Sequence, residues 1–572
     1  MNVLRIKQAN CKNCYKCVRV CPVKAIKIKD GQATVDEERC ILCGQCWRAC
    51  PQHAKEVVSD FPAVANLLRG AAPVYVSLAP SLAAAWPNAS PGQMVSALQQ
   101  LGFAGASQTA TGAAIVNRGY QELLQGATGK PWLSTACPAF VNLVETYYLD
   151  LVPQLAPLPS PLIVHARMLK ELYPEAKLVF IGPCLAKKAE AARPEYAGLI
   201  DGVLLASELA QWLETAAIRP EQLPESPWLE LDARAAVLYP LHGGLLHYLQ
   251  LEGHTAAAVA GTPELRELLE GLRHEQLRTE LVECNVCNGG CLNGPDMPRA
   301  ESLLLRQQRL QQYASGSSSS EQASVEECFQ VPAAASLFAT DYRTHTLGQQ
   351  DYPEERIRAV LRGIGKHSAA DELNCGACGY TSCREKAKAV LAGMAEPEMC
   401  MPFMRSQAES LASLVIQSTP NALIVVDRSL QIREFNLAAE RLWLHSAAAV
   451  KGQPLATVIP DDDFRQVQDS RVPIQGKVVT YPHLRLITAQ TILNLADDTG
   501  LTMGVITDIT VMQRQAEELA TVKAETVRKA QEVIDKQMRV AQEIAGLLGE
   551  VTADSKMLLL RLIKLVQGEG GS

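Results

Sequence analysis

Cysteine carries most of the chemistry this sequence offers. Two runs, CKNCYKCVRVCP from Cys11 and CILCGQCWRACP from Cys40, share the spacing C-x2-C-x2-C-x3-C-P. Such a run puts three thiolates on one tight loop, suited to three corners of an iron–sulfur cube. In paired runs the fourth cysteine of each serves the other cube. The expected 4Fe-4S ligand sets are therefore Cys11, Cys14, Cys17 and Cys50, and Cys40, Cys43, Cys46 and Cys21. A zinc ribbon would use two separated C-x2-C pairs and leave the other thiols idle.

Further cysteines stand in three kinds of context. Cys137 lies in STACPAF, Cys184 closes KLVFIGPC, and Cys284, Cys287 and Cys291 share the loop ECNVCNGGCLNG. Cys375, Cys378, Cys383 and Cys400 are spaced C-x2-C-x4-C-x16-C, which predicts another 4Fe-4S site, with zinc as the alternative. Cys328 stands alone and is expected to be a buried structural thiol.

The chain of 572 residues has room for roughly four domains. A net charge of -7 with no long basic run points to no nucleic-acid or membrane partner. The start MNVLRIKQANC has no apolar signal core, and no run of about 18 apolar residues occurs, so the expected location is the cytoplasm. There thiols stay reduced, which assigns the 18 cysteines to metal or redox chemistry rather than disulfides.

The elements that must position these residues follow an α/β pattern from residue 61. Residues 73–81, 132–140, 177–184 and 235–244 each read as an apolar strand running into Pro, Gly or small residues. Functional groups in such sheets gather beyond the carboxyl ends of strands, where Ser81, Cys137 and Cys184 would converge. ASGSSSSEQAS marks a flexible linker. Beyond Gln513 a charged helical pattern carries a partial apolar seam of Leu519, Val522, Val533, Val540, Ile544, Leu547 and Val551, as in a coiled coil; the alternative is one helix packed on its own domain.

The paired cysteine runs resemble two-cluster bacterial ferredoxins. P-A-F after Cys137, P-C-L-A-K-K at Cys184 and C-N-G-G-C at Cys287 together resemble the three signature motifs of the iron-iron hydrogenase large subunit. That resemblance implies a 4Fe-4S cube on Cys137, Cys184, Cys287 and Cys291, with Cys291 also bridging to a two-iron centre bearing CO, CN and a bridging dithiolate. It implies a cyanide-pairing role for Lys187 and a ligand-wrapping loop at Pro80 and Ser81. Gly289 and Gly290 would allow close backbone approach. Cys284 is not one of the family's usual ligands.

The departures from the family point one way. Active members place a proton-carrying cysteine where this chain has Ala136, and methionines at Gly182 and Asn285; the glutamates of the usual proton exit align with Asn117 and Arg118. The Cys375 set resembles a single-cluster domain also found in the corrinoid iron–sulfur protein. NALIVVDRSLQIREFNLAAERLW and MGVITDIT resemble a PAS domain, in which His445 and His483 are expected on the surface.

The expected fold is multidomain α/β. It comprises a two-cluster ferredoxin-like domain (1–60), a hydrogenase domain (61–313), a linker (314–325), a small 4Fe-4S domain (326–405), a PAS domain (406–512) and a signalling helix (513–572). The expected function is a hydrogen sensor with slow reversible H2 oxidation, relaying redox state through its clusters. Its expected partners are H2 and protons, a redox partner such as ferredoxin, a signalling kinase or phosphatase, and a second copy of the chain through PAS and helix. The alternatives are a metabolic ferredoxin-linked hydrogenase and an assembly scaffold lacking the two-iron centre.

Overall fold

The computed structural model describes residues 3–126, 129, 131–229, 236–315, 337–348, 351–495, 500–545, 557–558 and 560–561. Cys328, most of the expected linker, and Leu547 and Val551 of the seam lie outside the described residues. The chain divides into two compact units, 1–404 and 405–572.

The first unit opens with an internally repeated module. β1 (Leu4–Ile6) pairs antiparallel with β4 (Lys55–Val57), and β2 (Ile26–Lys29) pairs with β3 (Gln32–Val35). Asp30 and Gly31, both at positive φ, make the tight turn of that hairpin. Each cysteine run enters a short helix, Lys16–Val20 or Gln45–Ala49, from a left-handed residue, Tyr15 or Gly44. The sequence repeat is thus also a backbone repeat.

Two parallel sheets follow. β5 (Val74–Leu78), β6 (Gly105–Gln108), β8 (Lys177–Gly182) and β9 (Gly202–Leu205) form one in the order β6-β5-β8-β9. β7 (Trp132–Leu133), β10 (Ala256–Ala260) and β11 (Leu281–Asn285) form the other in the order β10-β11-β7. VYVSL and KLVFIG read as near-continuous apolar runs because such strands are covered on both faces. The helices Thr109–Gln125 and Pro161–Leu172 pack so closely that a Cβ on Gly112 would stand 2.2 Å from the Pro161 carbonyl oxygen. On the second of these helices His165 is fully buried between Ser77 (2.8 Å) and Ser107 (2.6 Å); burial pushes its pKa down to about 3, so the ring is neutral.

Of the expected strands one is short and one is corrected. In 132–140 the strand is Trp132–Leu133, which runs into small residues and Pro138 at the start of the helix Pro138–Tyr147. In 235–244 the described residues form turns. Pro240 cannot donate to a ladder, and Gly244 turns so tightly that a Cβ would lie 2.3 Å from the Leu238 carbonyl oxygen. The place beside β11 goes to β10 instead.

The helices Glu354–Gly363 and Cys383–Leu391 build a small core of Ile357, Leu361, Ile364, Ala387 and Cys400. In the second unit β12 (Ala422–Val426), β13 (Ile432–Phe435), β14 (Ile474–Tyr481), β15 (Leu486–Leu495) and β16 (Leu501–Asp508) form one antiparallel sheet in the order β13-β12-β16-β15-β14. His445 and His483 are exposed. The helix Thr510–Ala545 leaves Leu519, Val522, Val533, Val540 and Ile544 about half exposed, so its seam is not packed on its own domain. Among the described residues no helix is long and apolar enough to cross a membrane.

Candidate functional site

The carboxyl ends of four strands, two from each parallel sheet, supply one site. β5 runs into the 3-10 turn Pro80–Ala84, which buries Ser81. β8 ends at Gly182, two residues before Cys184, and the helix Ala186–Ala191 follows. β7 leads through Ala136 to Cys137, which caps the helix Pro138–Tyr147. β11 leads to Cys287 and, past Gly289 and Gly290, to Cys291. Pro80, Ser81, Ala136, Cys184, Lys187 and Cys291 line a common cavity of ≈90 Å³. A larger apolar cavity (≈180 Å³) among Trp86, Trp228 and Tyr313 shares the Ala79–Pro80 wall but is lined by no cysteine.

Cys137, Cys184, Cys287 and Cys291 lie within electrostatic reach of one another. Burial, then the neighbouring thiols, push Cys184 up to about 11 and Cys291 to about 12, with Cys287 raised well above its usual range. Backbone N–H groups of Val286, Phe140 and Ala139 are aimed at the Cys137 sulfur, and those of Lys187 and Ala186 at the Cys184 sulfur. Two helix starts thus turn their positive ends toward two of the four thiols. Thiols this buried and crowded are protonated in the absence of metal; iron would take the place of the protons.

The two adjacent lysines part company. Lys187 Nζ donates to Ser160 Oγ (2.7 Å) and to Glu190 Oε2 (2.7 Å), leaving one of three ammonium donors for a group held in the cavity. Lys188 is 2% exposed and runs the other way, to the Val203 carbonyl (2.5 Å) and Asp60 (3.3 Å).

Three residues of this cavity carried no assignment from sequence. Glu283 accepts from the backbone N–H groups of Gly243, Leu245 and Leu246 and from Asn285 Nδ2. Burial outweighs these four donors and raises its pKa to about 7. A carboxylate inside the apolar strand LVECN was the available signal. Tyr239 lines the cavity, and its hydroxyl is shielded with no hydrogen-bond partner among the described residues. Phe180 is the third. Cys284 is a buried structural thiol whose sulfur donates to the Val282 carbonyl (3.6 Å).

The other thiol sets also gather. Cys11, Cys14, Cys17 and Cys50 line one cavity, and Cys375, Cys378, Cys383 and Cys400 another. Cys21, Cys40 and Cys46 all lie within electrostatic reach of Cys43. Among the described residues no three Cys, His, Asp or Glu side chains converge on a position for a single metal ion.

Comparison with known proteins matches residues 72–295 to the iron-only hydrogenase large subunit, C-terminal domain. The central domain belongs to that family. Residues 10–54 match a 4Fe-4S dicluster domain, 371–402 a putative Fe-S cluster domain and 411–480 the PAS fold. Iron hydrogenase 1 of Clostridium pasteurianum is 27% identical over 260 residues, 36% of this chain and 45% of that protein. The NADP-reducing hydrogenase subunit HndD of Solidesulfovibrio fructosivorans is 27% identical over 351 residues, 50% and 56%. Cytosolic iron-sulfur assembly component 3 of Bos taurus is 24% identical over 241 residues, 32% and 50%. The chain spans about half the length of these curated relatives. The solved FeFe-hydrogenase HydA(deltaEFG) is 18% identical, with a TM-score of 0.38 over 49% of this chain and 92% of that one.

The positions at which the sequence departs from that family have distinct surroundings. A Cβ on Gly182 would stand 2.6 Å from the Phe180 ring, so Phe180 occupies the space a side chain at 182 would need. Asn285 holds Glu283 (2.9 Å). Asn117 is buried and Arg118 exposed, and neither lines the cavity. Four thiols, a partly unspent ammonium and an adjoining cavity suit a cube with an attached anionic group.

Proposed function

We propose that the chain is a hydrogen-sensing FeFe hydrogenase that turns over slowly. The observation that carries this reading is the cavity wall: Cys184, Cys291 and Lys187 stand on it, while the position next to Cys137 presents the methyl group of Ala136. In this reading Cys137, Cys184, Cys287 and Cys291 would hold the cube, Cys291 would also hold a two-iron group bearing CO, CN and a dithiolate, and Lys187 would pair with its cyanide. When bound, that group supplies the metal and base chemistry of H2 = 2 H+ + 2 e-. The chain's own part is to hold the cube on two helix starts, to shield the attached group, and to limit proton exchange. A methyl group carries no proton, and positioned acid–base help is worth about 100- to 10,000-fold in rate. Slow exchange suits a detector, which needs an occupancy-dependent change of state rather than product flux.

The Cys375 set and the PAS domain supply the relay, and the exposed seam of Thr510–Ala545 suits a second copy of the chain. Output then goes to a separate kinase or phosphatase in the cytoplasm. Infrared spectra and turnover of protein loaded with the two-iron group test the reading. Carbonyl and cyanide bands that respond to hydrogen at low turnover are expected. Turnover like that of a dedicated enzyme would refute the sensor. The likeness to an iron–sulfur assembly component supports a second reading, a scaffold, and failure to accept the two-iron group would favour it.

A further inference from the structure

The third thiol set packs against the ferredoxin-like module. Ile28 N–H donates to the Met394 carbonyl (3.0 Å), and Arg19 reaches from the Cys14 carbonyl (3.0 Å) to the Ala377 carbonyl (3.2 Å). At the centre of this contact lies Gly379, next to Cys378, at φ +95. A Cβ there would stand 3.0 Å from Arg19 N and from Val18 Cγ1, so only glycine lets this loop lie flat on the helix Lys16–Val20. Cys21 directly follows that helix.

Two side chains stand where both thiol sets are felt. Lys24, at φ +52, folds back so that its ammonium donates to the Val18 carbonyl (3.2 Å). It lies within electrostatic reach of Cys21 and of Cys378. Tyr380 is buried, its hydroxyl has no hydrogen-bond partner among the described residues, and it is within reach of the same two thiols. The set that contains Cys21 also touches the hydrogenase site. Cys43 and Cys287 are within mutual reach, and a Cβ on Gly44 would stand 2.5 Å from Pro295 Cβ.

We propose that the cluster of Cys21, Cys40, Cys43 and Cys46 passes electrons directly to the cluster of Cys375, Cys378, Cys383 and Cys400 across the Gly379 contact, with Lys24 and Tyr380 as positioning residues. Each step moves one electron: the donor cluster is oxidised by one unit, the acceptor is reduced by one, and no bond or proton changes. The source of electrons rests on the proposed hydrogen oxidation. The acceptor's last ligand, Cys400, immediately precedes the helix Met401–Ser418, which leads along the chain into β12. The third cluster is then where hydrogen becomes readable by the rest of the chain.

The test is electron paramagnetic resonance of the full chain, reduced with dithionite in one arm and with hydrogen in the other. Reduced clusters on Cys378 and Cys21 should show magnetic coupling, weakened in Gly379→Val. Lys24→Gln, which removes a cation beside both, should lower both potentials together and leave the Cys11 cluster unshifted. If Gly379→Val does not fold, the Lys24→Gln titration decides. Uncoupled signals in the wild-type chain, or a shift of one potential or none, would overturn the relay. Coupling under dithionite without reduction by hydrogen would keep the relay and refute the hydrogen reading.

Discussion

Gly290→Ala probes how the loop between Cys287 and Cys291 is held. Gly290 sits at φ 76, ψ -164, a region that is essentially glycine's own and costs any other residue about 1–3 kcal/mol. An alanine Cβ would also stand 2.2 Å from the Pro240 carbonyl oxygen, 2.8 Å from the Leu241 carbonyl carbon and 3.0 Å from His242 N. All three are backbone atoms, so no side chain can rotate away. Forcing them apart adds about 1–3 kcal/mol and displaces Tyr239 and Pro240 from the cavity wall. The two costs together come to about 2–6 kcal/mol, or roughly 5–20 °C in the melting of the hydrogenase domain. Gly253→Ala is the control: φ is +79, but nothing lies within 4 Å of the added methyl, so only the conformational cost of about 1–2 kcal/mol applies. Anaerobic melting with iron and sulfide counts should show Gly290→Ala losing one cluster's iron and melting well below Gly253→Ala. Equal melting with full iron content would refute the reasoning.

Ala136→Cys places a thiol on the cavity wall, and turnover of the loaded protein should rise about 100-fold or more, the low end of acid–base help; unchanged turnover would count against a missing proton carrier. Glu283 binds its proton more tightly folded (about 7) than unfolded (4.5), so its contribution is complete below pH 4.5 and lost as pH rises through about 7. At 1.36 kcal/mol per pH unit this is about 3 kcal/mol, and denaturant titrations at pH 5 and pH 8 should show a smaller difference in Glu283→Gln than in the wild type. Asn436 is fully buried and makes four hydrogen bonds, to Leu423 N, Ala439 N and the carbonyls of Ile416 and Asn421. Asn436→Ala should lower the stability of the second unit by about 2–4 kcal/mol and leave iron content unchanged; a loss of cluster iron would show the units to be coupled in folding.

Spacing within a loop is a covalent property, so the ferredoxin-like and Cys375 thiol sets were legible directly, and the structure gathers each. Cys137, Cys184, Cys287 and Cys291 come from three separate segments; strand ends pointed to the convergence of Cys137 and Cys184, but the full set of four was legible only through resemblance. Apolar runs marked β5 and β8 correctly, but the same signal failed at 235–244, where Pro240 and Gly244 favour turns over a ladder. Which of two adjacent lysines faces the cavity was set by the turn of the helix Ala186–Ala191, and Glu283 became a site residue because loop 243–246 folds over it. The seam of Thr510–Ala545 was readable as a pattern, whereas its exposure depended on what the rest of the unit leaves uncovered. The sequence by itself determined the inventory of thiols and the alanine at position 136, because residue type and short spacing survive in one dimension. The tertiary structure alone decided which thiols share a cavity, which cation stands between clusters and where a methyl group has no room, because these depend on distances between segments far apart in the chain.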